Sequence, residues 1–70
     1  MATEFSRILD ELVIANSEIA HKAGVDIKTI KSLRDGGRKA HAATIRAVLE
    51  ATNVFLAERK MRPRSREIFD

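Results

Sequence analysis

Residues Asn16–Gly36 read NSEIAHKAGVDIKTIKSLRDG, and this stretch decides the fold. Ile19, Ala20 and Ala23 recur at helical spacing, with Glu18 where the first turn favours an acid. The spacing predicts a helix over Ser17–Ala23. Its small residues at 20 and 23 let another helix cross closely. Gly24 follows at the position where helices end in a left-handed residue. Val25-Asp26 then opens a second helix, with Asp26 as N-cap and Val25 able to pack on Ile30. That helix is predicted over Ile27–Asp35, and Gly36 ends it. Ile30 and Leu33 face inward. Lys28, Lys31, Ser32 and Asp35 face the other way, with Ile27 and Arg34 at the flanks.

Upstream, Phe5, Ile8, Leu9, Leu12 and Val13 form one apolar stripe, predicting a helix from about Glu4 to Ile14 capped by Thr3. Asn16 or Ser17 is the expected cap of the next helix. Downstream, Gly36–His41 reads as a basic loop. A further helix starts near Ala42, with Thr44, Ile45, Val48, Leu49 and Thr52 inward and Phe55 and Leu56 continuing the period. Asn53 is a potential break, so the pattern allows one long helix or two. Pro63 stops whatever precedes it. These elements make residues 1–61 one domain and 62–70 a charged tail. Ile68 and Phe69 in that tail either dock or fray. The expected fold class is all-α, a compact bundle of four to five helices.

The composition narrows the function. The chain of 70 residues suits one small domain. It has no Cys, hence no disulfide framework or thiolate metal site, which agrees with a reducing cytosol. No apolar run reaches the ~20 residues of a membrane span, and no signal-peptide pattern opens the sequence. A cytoplasmic protein with no membrane partner is the expectation. Three Phe with neither Trp nor Tyr leave little for stacking single-stranded bases. His21 and His41 lack metal-ligand spacing, and Gly36-Gly37 is not a phosphate loop. No enzyme activity, metal, cofactor or small-molecule ligand is expected.

Charge is unevenly placed. The net charge is +3, yet residues 1–27 are acidic on balance. Residues 28–46 hold Lys28, Lys31, Arg34, Arg38, Lys39 and Arg46 against Asp35 alone. A basic surface coinciding with a two-helix turn motif suits a polyanion. Two short helices joined by a Gly-containing turn can present the second to the major groove of DNA, while the first sets its N-terminus toward phosphate.

The segments Ser17–Val25, Thr29-Ile30 and Leu33–Gly36, with Arg38-Lys39 and Thr44-Ile45, resemble the phage repressor/Cro (Xre) helix-turn-helix family over about residues 4–56. The resemblance implies a lambda-repressor-like fold and a dimeric regulator, of the kind carried by mobile elements and associated with the nucleoid. It would repress transcription by reading a palindromic operator in double-stranded DNA. It places base reading on Ile27, Lys28 and Ser32, with Lys31 and Asp35 beside them. Phosphate contacts fall on Asn16, Ser17, Thr29, Arg34, Arg38 and Lys39. The expected homodimer surface is Val54, Phe55, Leu56 and Phe69. Two positions depart from the family pattern. Ile27 stands where Gln or Ser is common, and an aliphatic side chain there can touch a thymine methyl or pack. Arg34 stands where an acid is common, which would turn the usual ion pair around toward Asp10 or Glu11.

The competing expectation is a helix-turn-helix module that binds another regulator, as an antiactivator or antitoxin would, since one fold hosts several functions. The basic outer face favours DNA, and Ile27 at its edge favours a protein partner.

Overall fold

The computed structural model describes residues 2–36 and 40–70 of the chain. Among these, the order is α1 (Glu4–Glu11), α2 (Asn16–Ala23), α3 (Ile27–Arg34), α4 (Ala42–Glu58) and a final 3-10 turn (Arg66–Phe69), with no strand. The class is all-α. No helix among the described residues is long and apolar enough to cross a membrane.

α1 begins as the sequence predicts. Thr3 caps it, its hydroxyl oxygen accepting from the Ser6 N–H at 3.2 Å. The same hydroxyl donates to the carbonyls of Leu33 and Arg34, at 3.1 and 3.2 Å. The Thr3 N–H adds a bond to the Arg34 carbonyl at 3.0 Å. One residue therefore starts α1 and satisfies carbonyls that the end of α3 would otherwise leave free.

α1 ends earlier than its apolar stripe implies. Val13 takes a left-handed φ of 56°. Its N–H donates to the Asp10 carbonyl, and the Ile14 N–H reaches back to Leu9 at 2.9 Å. This is a Schellman stop, and it throws Val13 out to 85% exposure while Ile14 enters the core. The stop recurs at the end of α2 with Gly24 (φ 71°) and after α4 with Lys60 (φ 58°). There the Val25 N–H bonds the Ala20 carbonyl, and the Met61 N–H bonds that of Leu56.

α2 starts at Asn16, one residue before its predicted start. Ala15 occupies the N-cap, and the Glu18 carboxylate accepts from its N–H at 3.1 Å. Asn16 lies inside the helix, with its side chain used elsewhere. α4 is one unbroken helix. Asn53 does not interrupt it, because its amide pairs with the backbone of Arg64 through both polar atoms, at 2.8 and 3.0 Å.

Phe5, Leu9, Ile19, Ile30, Leu33, Val48 and Leu56 are fully buried, and Ile68 joins them from the C-terminal turn. Burying each of these side chains stabilises the fold by roughly 1.5–3 kcal/mol. Phe69 packs on Phe5 with ring centroids 4.9 Å apart and planes tilted by 52°. Arg64 forms an ion pair with Glu4. Of the charged tail, Ile68 and Phe69 thus dock and join the core.

Candidate nucleic-acid interface

α2 and α3 pack on each other through the Gly24 turn, and α1 holds the far end of α3. Ile30 and Leu33 anchor α3 in the core. That anchorage fixes which side chains face out. Lys28, Lys31, Ser32 and Asp35 are exposed, Thr29 is half-buried, and Ile27 is 44% exposed. Among the described residues, neither Lys28 nor Lys31 has an ion-pair partner.

Lys28 sits in the first turn of α3, which holds no acid. A cation at the positive end of a helix typically costs a few tenths to 1 kcal/mol. Local stability alone gives no reason for a lysine there. The Asp26 carboxylate, expected as a cap, makes no capping bond, although its backbone has the N-cap conformation.

Two open hollows border this face. One of about 610 Å³ lies between α2 and the start of α3, lined by Ser17, Ala20, His21, Val25, Asp26, Ile27 and Lys28. The other, about 240 Å³, is lined by Lys28, Thr29, Ser32 and Ala40. Lys28 lines both. Nothing in the sequence pattern assigned His21 or Ala40 to this face, although His21 lies one helical turn after Ser17, an i, i+4 spacing that puts both on one side of α2.

The expected phosphate ligands separate. Ser17 is exposed at the start of α2. Asn16 is half-buried, and its side-chain oxygen accepts from Arg34 Nη1 at 2.8 Å. Arg34 is committed inward. Its Nε donates to the Ser6 hydroxyl at 3.0 Å, and its Nη2 pairs with Asp10. With three of its five N–H donors engaged on Ser6, Asn16 and Asp10, Arg34 is a tie between α1, α2 and α3. The pairing with Asp10 is the reversed polarity expected from the sequence. Arg38 and Lys39 lie outside the described residues.

The expected dimer residues also divide. Leu56 and Phe69 are buried within one chain, because α4 and the C-terminal turn close over the core there. Phe55 is half-buried, with the Arg59 guanidinium 5.6 Å from its ring centre. Val54 is 39% exposed, and Met61 is 46% exposed.

Comparison of the chain with protein-family models, curated proteins and solved structures finds no match.

Proposed function

We propose that this protein is a non-enzymatic, sequence-specific double-stranded DNA-binding regulator that acts as a dimeric repressor. α3 enters the major groove, with Lys28 or Lys31 donating to guanine O6 and N7 and Ser32 donating or accepting at base edges. Ile27 meets a thymine methyl at the edge of the same face, and Asp35 borders it. Ser17, Asn16 and Thr29 lie at the phosphate backbone, with Arg38 and Lys39 beyond the end of α3. Arg34 orients the reader through its ties to α1 and α2. Val54 and Phe55, with Met61, supply the homodimer contact.

One observation carries this reading. A helix anchored by Ile30 and Leu33 presents two lysines without ion-pair partners among the described residues, one of them against its own helix dipole. Selection from a pool of randomised duplexes tests it. Dimeric reading yields a two-fold symmetric sequence with half-site centres about 10–10.5 bp apart. Recovery of no shared sequence contradicts it.

A second reading, a module that docks another regulator, is favoured by Ile27. Its exposed aliphatic surface adjoins the Ala20 and Val25 side of the larger hollow. Such a module binds its partner with no duplex preference, so the same selection separates the two.

A further inference from the structure

We propose that the corner between α1 and α2 is a knob that docks into a hollow on α4 of a second copy of this chain. Val13 is the key residue. It occupies a left-handed position at φ 56° and is 85% exposed. A β-branched residue is a poor occupant of that conformation, where Gly or Asn is usual. It is also left in water, so neither local backbone preference nor the core of its own chain explains a valine there. An outlier of this kind motivates a search for a use.

The hollow is on α4. It measures about 220 Å³ and is lined by Ala42, Ile45 and Leu49, with Arg46 and Arg66 beside them. Neither arginine has an ion-pair partner among the described residues. Its own chain does not fill it with Val13, given that residue's exposure. The knob carries the opposite charge. Glu11 is exposed just before Val13 and has no ion-pair partner among the described residues, whereas the neighbouring Asp10 is paired with Arg34. An apolar tip beside an unpaired acid therefore meets an apolar floor beside arginines. Matching of this kind selects a partner and fixes its register. The contact joins unlike patches and does not involve the reading face of α3, so it stands apart from DNA binding.

A contact this small is weak, and amide NMR spectra of the full chain over a dilution series would detect it. Amides of residues 11–14 and of 42–49 are expected to shift together as concentration rises, and less so in high salt. Val13→Gly keeps the fold, because Gly suits that turn, and should weaken the association by at least about tenfold, the factor for burying a valine side chain. The double variant R46E/R66E should silence both sets of shifts. Mixing it with E11K should restore them. Shifts at one patch alone, no shifts, or shifts unchanged in Val13→Gly would overturn the proposal.

Discussion

Arg34 and Asp10 form an ion pair that binds the end of α3 to α1. The Arg34 side chain is 20% exposed and that of Asp10 is 68% exposed, so the guanidinium is the better-shielded partner. Truncating it removes bonds to Ser6 and Asn16 as well. Arg34→Ala is expected to destabilise the domain by about 1–3 kcal/mol. Asp10→Ala should cost about 0.2–1 kcal/mol, since water screens that end of the pair. Denaturant unfolding of the two variants checks the order. Lysine does not substitute at position 34, because one ammonium cannot serve three partners in the geometry of the fork.

Val13→Gly should raise stability. The left-handed backbone at Val13 costs an L residue roughly 1–2 kcal/mol, and the added chain entropy of Gly offsets part of this. A net gain of about 0.5–1 kcal/mol is expected, seen as a higher thermal midpoint. A lower midpoint would mean that the valine side chain stabilises its own chain.

Phe69→Ala should destabilise the folded chain by about 3 kcal/mol, the range for emptying a buried aromatic site. Phe69 is 7% exposed and packs on Phe5. In a domain of this size each kcal/mol shifts the midpoint by about 4–8 °C. The effect should not depend on protein concentration. A loss that appears only on dilution would place Phe69 between subunits.

The two-helix motif was legible because its signals are local. Gly24 marks a left-handed stop, Ile30 and Leu33 fix the wheel of α3, and Thr3 caps α1. The exposed lysines follow from the same wheel. What the pattern hid depends on distant partners or on backbone choices that side chains do not announce. Val13 and Lys60 stop helices in the left-handed conformation without the glycine that announces it at Gly24 and Gly36. Asn53 resembles a breaker, yet it holds Arg64, eleven residues away. Phe69 meets Phe5 from the opposite end of the chain. The pairing of Arg34 with Asp10 was legible from the charge at position 34, whereas its bonds to Ser6 and Asn16 join α1 and α2 and no single segment displays them.

Duplex affinity should fall steeply with salt, because each neutralised phosphate releases counterions. Arg38→Ala should weaken binding to all sequences alike and make the salt slope shallower by about 1, the value for one phosphate. Titrations at several salt concentrations, on a selected and a scrambled duplex, check this. A slope unchanged by the variant would remove Arg38 from the phosphate ligands.

The most direct test of the reading face is fluorescence anisotropy of a labelled selected duplex with the wild-type chain and with Lys28→Ala. The account predicts that the wild type prefers this duplex over a scrambled one, and that Lys28→Ala loses about 1–3 kcal/mol of that preference while remaining folded. A Lys28→Ala protein with affinity and preference both intact, or a wild type that binds no duplex even at low salt, would contradict it.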